Sequence, residues 1–420
     1  MFFVYQIIII IIILFSPLII LIRILKKKEH HLRFKEKFSL NSKLRPKGKL
    51  IWFHGASVGE ILSIIPLVKN LEKNNKIKTI LITSSTLSSS IVFKKYKSKK
   101  TIHQFFPIDS FFLTKKFLDY WKPTMAIFID SEIWPCMFKN IKQKRIPLLL
   151  LNARITKKSF KRWIKFKKIS NYIFSKIDIA YPQNHETLNY LKKLKVSKIK
   201  TIGNLKFSEN EKESLIQINK SFINETKNRK IWCASSTHSN EEAICGQIHL
   251  NLKKKYPGLL TIIIPRHTHR KKEVKNDLEK LGLDVVLRSS KLPIKKRTDI
   301  YLVDTYGETK KFYKICNTVF LGGSVTRHGG QNPLEAARLG STIIHGPNVG
   351  NFKEVYELLS NANITFKANN IKKLSKLVYY SLRKSSKNTK FLKIKKIGKK
   401  ILTTTTKEIN NILRDEIKKA

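Results

Sequence analysis

Residues 49–71 read KLIWFHGASVGEILSIIPLVKNL, and this stretch decides the fold. The apolar run LIWF is short, which is typical of a strand that is buried on both faces of a sheet. Two glycines, Gly55 and Gly59, permit a tight turn after it. Apolar residues then recur at the i, i+3, i+4, i+7 spacing of an amphipathic helix, at Ile61, Ile64, Ile65 and Val68. A buried strand, a tight turn and a helix form the repeating element of an α/β protein with a parallel sheet.

The same alternation of apolar runs and amphipathic stretches continues in two series. The first series of predicted strands is KLIWFHG, KTILITSS, MAIFID, IPLLLLN and IDIAYPQ. The second is KIWCASS, LLTIIIPRH, DVVLRS, DIYLVDT, TVFLGGS and STIIHGP. We therefore predict an α/β protein with two Rossmann-like, doubly wound domains that face a cleft, with ligands at the carboxyl ends of the strands. The predicted boundaries are residues 49–208 and 229–385 for the two domains, 209–228 for a polar linker and 386–420 for a helical tail.

The N-terminus predicts a membrane anchor. Residues 1–22 contain no charged side chain and are long enough to cross a bilayer core as a helix. Basic residues follow in the juxtamembrane segment 23–48, and no small-residue cleavage site precedes them, which favours a retained anchor over a cleaved signal peptide. By the positive-inside rule, a single-pass helix would leave the rest of the chain in the cytoplasm.

The composition is strongly basic, with 84 Lys and Arg against 29 Asp and Glu and a formal net charge of +55. Such a charge favours anionic partners, namely nucleic acid, phospholipid surfaces or phosphorylated substrates. Because the lysines are spread over the whole chain amid abundant Ile and Asn, a compositional bias explains the charge equally well. The four cysteines form no C-x-x-C pair, so neither a zinc site nor a disulfide framework is predicted.

Polar residues follow several strands of the first series. Glu60 falls in the first turn of its helix, where a carboxylate either stabilises the helix dipole or serves as a base for a hydroxyl acceptor. The motif FIDSEIWP places Asp130 and Glu132 at another strand end. NARIT supplies Arg154, a cationic fork suited to phosphate or carboxylate, and GNLKF supplies Lys206 near the domain junction.

The second series carries the features of a nucleotide site. Arg266 follows the buried strand in IIIPRH, where its guanidinium suits a nucleotide phosphate. In VFLGGSVTRHGGQNPLEAARLG, two glycine pairs precede a helix with Asn332 as N-cap and Pro333 at its first position. Glu335, one turn in, is placed to accept ribose hydroxyls. The glycines are candidate phosphate contacts: Gly322, Gly323, Gly329 and Gly330. This spacing predicts nucleotide or sugar-nucleotide binding.

Taken in order along the chain, these motifs resemble a known family. FHGASVGE, SEIWP, NARIT, GNLKF, ASSTHSNEE, PRH, YGE, GGSVTRHGGQNPLEAARLG and HGPNVGNF occur in the order seen in bacterial 3-deoxy-D-manno-octulosonic acid (Kdo) transferases. The resemblance covers nearly the whole chain. It implies a GT-B glycosyltransferase that transfers Kdo from CMP-Kdo to a lipid A precursor, lipid IVA, with inversion, in lipopolysaccharide biosynthesis. It also implies the cytoplasmic face of the inner membrane, an anionic membrane surface as partner, no metal, no cofactor and no nucleic acid.

The resemblance also implies residue roles. Glu60 would be the general base, while Asp130 and Lys206 would stabilise the transition state. Position 130 is usually Glu in this family, so Asp130 reaches one methylene less. The segments implied to bind the CMP moiety contain Pro265, Arg266, Tyr306, Gly307, Glu308, Asn332, Pro333, Leu334 and Glu335.

Two alternatives remain open at this stage. Another GT-B transferase or an epimerase with a UDP-sugar would share the glycine loop, but it would not need GASVGE and SEIWP together. A membrane-tethered nucleic-acid-binding protein would account for the charge. Aromatic residues are not interleaved with the basic runs in a stacking pattern, however, which argues against that class.

Overall fold

The chain forms two compact α/β units. The structure, a computed structural model, describes residues 2–94, 96, 98–208, 219–383 and 387–419. Unit 1 comprises Met1–Glu209 and Gly398–Ala420, and unit 2 comprises Asn210–Ile397. The first half of the predicted linker, residues 209–218, lies outside the described residues.

Unit 1 is built on a six-stranded parallel sheet in the order β3-β2-β1-β4-β5-β6. Its strands are β1 (Leu50–His54), β2 (Thr79–Ser84), β3 (Thr101–Phe105), β4 (Met125–Ile129), β5 (Leu148–Ala153) and β6 (Ile179–Pro182). Trp52 and Phe53 are neighbours on β1, and both are fully buried. Because successive side chains on a strand point to opposite faces, both faces of this sheet are covered.

Of the helices of unit 1, the first precedes β1, the eighth follows β6, and the others connect these strands. In chain order, these helices are α1 (Phe2–Leu25), α2 (Val58–Leu71), α3 (Leu87–Lys94), α4 (Phe111–Trp121), α5 (Pro135–Gln143), α6 (Lys157–Lys165), α7 (Lys167–Phe174) and α8 (His185–Lys193). Strand order runs outward from β1 to β3 on one side and from β4 to β6 on the other. The order therefore reverses between β1 and β4, which is the position where doubly wound sheets bind ligands.

Unit 2 carries a seven-stranded parallel sheet in the order β13-β12-β11-β7-β8-β10-β9. Its strands are β7 (Ile231–Thr237), β8 (Leu260–Pro265), β9 (Val285–Leu287), β10 (Ile300–Leu302), β11 (Thr318–Leu321), β12 (Thr342–His345) and β13 (Thr365–Lys367). Its helices are α9 (Lys220–Thr226), α10 (Glu241–Lys253), α11 (Lys271–Glu279), α12 (Thr309–Ile315), α13 (Leu334–Arg338), α14 (Lys353–Asn361) and α15 (Ile371–Arg383). Here the order reverses between β7 and β11.

The prediction of two α/β domains is confirmed, and every strand predicted from the sequence is present. Two edge strands, β3 and β13, were missed. The reason for β3 is chemical, because polar His103 and Gln104 occupy buried positions on it. Burial of the polar His103 ring is compensated by a hydrogen bond with Ser84 Oγ at 2.9 Å. Strand β13 has only three residues, too few to give a pattern.

Helix α1 is long and apolar enough to cross a membrane, by length and composition. Its residues are nevertheless not equally exposed. One line of side chains along the helix, here called the protein-facing stripe, is buried or half-buried: Tyr5, Gln6, Ile9, Ile13, Ser16, Ile20, Arg23 and Ile24. At one end of the stripe, the Tyr5 hydroxyl donates to Asp109 Oδ2 at 2.7 Å. The opposite side of α1 exposes large apolar residues such as Leu14 and Leu18.

The basic segment after α1 folds onto the edge of the unit 1 sheet. Residues Arg33–Phe38 form a 3₁₀ helix, in which the Arg33 guanidinium makes a two-pronged ion pair with Glu36 at 2.8 and 2.9 Å. Glu36 is fully buried, and its Oε2 accepts a hydrogen bond from the Phe105 amide at 2.8 Å. Part of the positive charge in this segment is therefore used inside the protein. Six lysines of this segment remain exposed: Lys26, Lys27, Lys28, Lys35, Lys43 and Lys47.

The last helix, α16 (Lys387–Lys419), begins in unit 2, and its part from Gly398 onward belongs to unit 1. Gly398 lies against the 3₁₀ turn Leu205–Ser208, where a Cβ atom would come within 2.3 Å of the Phe207 carbonyl oxygen. Only glycine fits this approach. Further along α16, Glu408 accepts a hydrogen bond from the Tyr181 hydroxyl at 3.3 Å.

Candidate active site

The candidate site of unit 1 lies where the strand order reverses. Strands β1 and β4 are adjacent and parallel, so the turns that follow them meet at the same edge of the sheet. The turn after β1 leads to Glu60, and the turn after β4 carries Asp130 and Glu132. Three carboxylates from two motifs that are about seventy residues apart in sequence are thus brought together.

Glu60 completes a capping box at the start of α2. Ser57 is the N-cap residue, and its hydroxyl accepts from the Glu60 amide at 3.4 Å and donates to Glu60 Oε1 at 2.8 Å. Glu60 Oε2 accepts from the Ala56 amide at 2.6 Å. Glu60 therefore does stabilise the start of α2, which is the structural role considered from the sequence. It holds the carboxylate in one orientation at the sheet edge.

The environment of Glu60 raises its pKa, which a carboxylate that only caps a helix would not need. Burial, followed by the negative charge of Glu132 and then that of Asp130, raises the pKa of Glu60 to about 7, although the hydrogen bonds from Ser57 and Ala56 lower it. An ordinary exposed glutamate of a capping box would remain ionised well below that pH. Glu60 can therefore exchange a proton near neutral pH, as a general base must.

Glu132 is held by two ring N–H groups. Its Oε2 lies 3.1 Å from His54 Nε2 and accepts from Trp134 Nε1 at 2.9 Å. His54 is fully buried, and burial lowers its pKa, so its imidazole is neutral at pH 7. The Thr83 hydroxyl lies 3.0 Å from His54 Nδ1, which suits a tautomer that donates from Nε2 to Glu132. The negative charge of Glu132 is thus fixed beside Glu60.

Asp130 and Lys206 form an ion pair, with Lys206 Nζ 3.0 Å from Asp130 Oδ2. The other oxygen, Oδ1, accepts from Asn152 Nδ2. Asn152 Oδ1 in turn accepts from the Leu205 amide at 3.0 Å, which fixes the turn that carries Lys206. Both Asp130 and Asn152 have left-handed backbones, with φ of 55° and 54°. Non-glycine residues in this region carry strain that is often found at functional sites. Asp130 is one methylene shorter than the Glu that is usual at this position in the family that the sequence resembles, and it nevertheless reaches Lys206.

Arg154 directly follows β5 and lies next to Asp130. Its amide donates to the Asp130 carbonyl at 3.0 Å, and its carbonyl accepts from the Ser131 hydroxyl at 2.7 Å. The residue is exposed, and its guanidinium makes no ion pair within the part of the chain that the structure describes. A phosphate or carboxylate contact for Arg154 stays a prediction.

In unit 2, basic side chains meet at the carboxyl ends of β7 and β8. Pro265 ends β8, and the amide of exposed Arg266 donates to the Thr237 carbonyl at 2.9 Å. The rings of His238 and His328 stack with centroids 4.0 Å apart, and His267 lies 5.9 Å from His238. Burial, then the neighbouring histidine His328, lowers the pKa of His238.

Glu308 is the N-cap residue of α12 and is firmly ionised. Arg288 donates to it from Nε at 3.1 Å and Nη2 at 3.3 Å, and Lys311 Nζ lies 2.9 Å away. Burial opposes ionisation, yet the hydrogen bonds from Thr305, Lys311 and Arg288 lower the pKa of Glu308 to about 2. Tyr306 beside it is 78% exposed, which leaves its ring available to a ligand.

The glycine loop departs from the predicted geometry in two respects. Helix α13 begins at Leu334 with Pro333 as its N-cap residue, one position later than predicted, and Asn332 Oδ1 accepts from the Leu334 amide at 3.1 Å. The amide of Gly323 donates to Glu241 Oε2 at 2.7 Å, so it is occupied by a carboxylate of the protein. Glu335 is half-exposed and lies 3.8 Å from Lys310 Nζ.

The second glycine pair is required by close packing. Gly329 and Gly330 have φ of 80° and 75°. A Cβ atom would lie 2.6 Å from the Asn351 side chain at Gly329 and 3.0 Å from Val349 Cα at Gly330. These positions therefore favour glycine by both space and backbone conformation.

Comparison with known proteins identifies the family. Residues 32–209 match the family model described as 3-Deoxy-D-manno-octulosonic-acid transferase (kdotransferase). A 3-deoxy-D-manno-octulosonic acid transferase of Rickettsia typhi is 37% identical over 322 residues, which is 76% of this chain and 69% of that protein. The chain belongs to the Kdo transferase family. The resemblance noted in the sequence is thereby confirmed, and a UDP-sugar enzyme or a nucleic-acid-binding protein loses its support.

A further relative agrees with the family, and a solved structure agrees with the fold. A protein of Arabidopsis thaliana named probable 3-deoxy-D-manno-octulosonic acid transferase, mitochondrial, is 34% identical over 352 residues, covering 80% of this chain and 77% of that protein. A glycosyltransferase structure from Rickettsia africae aligns with a TM-score of 0.57 at 14% identity, over 89% of this chain and 100% of that one. At that identity the structure shows the two-domain α/β fold alone.

In this Kdo transferase, the structure brings together Glu60, Asp130 and Lys206 within unit 1, and the predicted donor segments at one edge of the unit 2 sheet. It also reveals two residues without a predicted role, Glu132 and Glu241. Glu132 stood in a motif that was singled out, but its partner His54 is 78 residues away. Within the described residues, no group of three or more His, Cys, Asp or Glu side chains is placed to hold a metal ion.

Proposed function

We propose that this Kdo transferase moves Kdo from CMP-Kdo to a lipid A precursor, lipid IVA, with inversion at the anomeric carbon, as a step of lipopolysaccharide biosynthesis. The observation that carries the proposal is the carboxylate Glu60, which is oriented by its capping box and has a pKa near 7. A base with that pKa at the strand-order reversal suits activation of a sugar hydroxyl at neutral pH.

The proposed chemical step is a single displacement. A glucosamine hydroxyl of the acceptor attacks the anomeric carbon of Kdo and transfers its proton to Glu60. The new C–O bond forms while the bond from the anomeric carbon to the CMP phosphate oxygen breaks, and CMP leaves with the bonding pair. A positioned base contributes about 10² to 10⁴ in rate.

Asp130 and Lys206 would act on the charges that develop in this step. The anomeric centre gains oxocarbenium character, which a fixed carboxylate such as Asp130 stabilises. The departing phosphate gains negative charge, which the ammonium of Lys206 would offset. The ion pair at 3.0 Å and its support by Asn152 hold Asp130 and Lys206 in place before the reaction, so little reorganisation is needed.

The donor would be bound by unit 2. Arg266 and the second glycine pair, Gly329 and Gly330, are assigned to the phosphate, and Glu335 is assigned to the ribose hydroxyls. Pro265, Tyr306 to Glu308 and Asn332 to Leu334 complete the proposed CMP contacts. This assignment rests on the family's motifs and is supported by the exposed Arg266, which lies beside His238 at the same sheet edge.

Membrane attachment through α1 belongs to the proposal, with both units at the cytoplasmic face of the inner membrane. The acceptor is a lipid, and exposed Lys26, Lys27 and Lys28 suit an anionic headgroup surface. The sequence predicts a single-pass helix. The protein-facing stripe favours a helix that rests on unit 1 and contacts lipid with its opposite side, because a helix surrounded by lipid would have no such stripe.

The test is a transfer assay with detergent-solubilised full chain, freshly generated CMP-Kdo and a tetra-acylated lipid A precursor, in the presence of EDTA. A product heavier by one or more Kdo units supports the donor, the acceptor and independence from a metal together. Product that appears only without EDTA contradicts the metal-free mechanism. No product from folded protein that binds CMP contradicts the proposed acceptor, and replacement of the acceptor then becomes the next experiment.

A further inference from the structure

The side chain of Glu241 is bound by the loop that follows β11. It is fully buried at the first position of α10. Its carboxylate accepts hydrogen bonds from the amide of His238 at 3.0 Å and from four consecutive loop amides, residues 323–326, at 2.7, 3.2, 3.0 and 3.4 Å. Consecutive amides that converge on one anion form the nest with which proteins bind phosphate and other anions. Here the anion is part of the chain.

Glu241 makes no ion pair among the residues that the structure describes, in contrast to its neighbour. Glu242, equally part of the first turn of α10, contacts Arg270 Nη1 at 3.0 Å. The charge of Glu241 is therefore stabilised by amide dipoles and by the helix N-terminus alone. Removal of the carboxylate would leave five amides without an acceptor at a buried site.

The loop is built around this contact. A Cβ atom at Gly322 would lie 2.5 Å from the Ser236 carbonyl oxygen and 2.7 Å from Glu241 Oε2, so the chain closes onto the carboxylate as only glycine can. The carbonyl oxygen of Gly323 then accepts from the Gly330 amide at 2.8 Å. The position of the second glycine pair thus depends on the first pair, and the first pair is fixed by Glu241.

From this geometry we infer that Glu241 is a positioning residue for the donor: an internal carboxylate that fills the anion nest of residues 323–326 and thereby orders the glycine loop that receives the donor phosphate. The inference rests on the proposed function, because it assigns the loop to CMP-Kdo. It also means that a small anion should replace the carboxylate when the side chain is removed.

The test compares Glu241→Ala with Glu242→Ala in the full chain, with sodium formate added and sodium chloride as the control at equal ionic strength. In Glu241→Ala we expect the donor KM to rise about tenfold, as for loss of one charge-assisted contact, with the acceptor KM unchanged. Formate should return most of the donor affinity and raise the thermal midpoint, whereas chloride should not. Glu242→Ala should lower the midpoint without a donor KM change or a formate effect.

Each result decides the question. An unchanged donor KM in Glu241→Ala, or equal effects of formate and chloride, overturns the inference. If Glu241→Ala does not fold, Glu241→Gln takes its place, because glutamine keeps the size and loses the charge. This variant must raise the donor KM and leave the acceptor KM unchanged. A rise in both KM values, or in neither, overturns the inference. Thermal rescue by formate needs no turnover. A wild-type chain that transfers no Kdo would therefore contradict the proposed function, while the nest would still be tested by the thermal shift.

Discussion

The substitution Glu132→Gln should move the pH dependence of turnover to lower pH. Glu132 lies beside Glu60, and after burial its negative charge is the largest cause of the raised pKa of Glu60. Glutamine has nearly the same size and still offers one oxygen to His54 Nε2 and Trp134 Nε1. The change therefore removes the charge while it leaves the packing largely intact.

The size of the effect follows from the pKa of Glu60, which lies at about 7 against an ordinary value of 4.5. Since Glu132 ranks second to burial, we assign about one pH unit of this difference to its charge. At pH 6 a base of pKa about 7 is about one-tenth ionised, and a base of pKa about 6 is half ionised. We express each rate at pH 6 as a fraction of the same enzyme's high-pH plateau. This fraction should be about fivefold larger for Glu132→Gln than for wild type. The plateau itself should fall, because a weaker base is less effective.

The assay is the initial rate of Kdo transfer at subsaturating substrate between pH 5 and 9. Glu72→Gln is the matched control, since Glu72 follows the other end of α2 and bonds to the Tyr96 hydroxyl at 2.8 Å. Its acid limb should coincide with that of wild type. An acid limb in Glu132→Gln that stays in place or moves to higher pH would refute the reasoning that the titrating base is Glu60 under the influence of Glu132.

Three further outcomes are expected. Glu60→Gln should reduce turnover by about 10² or more while the CMP dissociation constant measured by calorimetry stays within about twofold, and unchanged turnover would rule out the general base. Glu335→Ala should weaken CMP binding by about tenfold through loss of a ribose contact, and an unaltered affinity would remove that assignment. Lys206→Met should lower the free energy of unfolding in urea by about 3 kcal/mol, because it leaves Asp130 as an unpaired, nearly buried charge. Addition of Asp130→Asn to that variant should recover part of the loss, and strictly additive losses would mean that the ion pair contributes nothing.

The sequence predicted the parts of the fold and site that depend on local pattern. Strand β1, the turn at Gly55 and helix α2 were all evident, because apolar spacing and glycine placement act within a few residues. What could not be predicted depends on contacts between distant segments. Glu241 appears in sequence as an ordinary first-turn acid, and its partner Gly323 is 82 residues away. The pKa of Glu60 has the same origin, since it arises from carboxylates on the turn after β4.

The four cysteines of the chain, Cys136, Cys233, Cys245 and Cys316, are all buried, and none of them forms a disulfide bond. Thiolates react with maleimides and thiols hardly do, and burial raises the pKa of Cys233 and Cys245 well above the ordinary range. The folded chain should therefore resist labelling without any native thiol being replaced. Single cysteines introduced for Ile13, on the protein-facing stripe, and for Leu18, on the opposite side, would carry the reactive labels. The position that a water-soluble maleimide reaches in vesicles would report which side of α1 faces water.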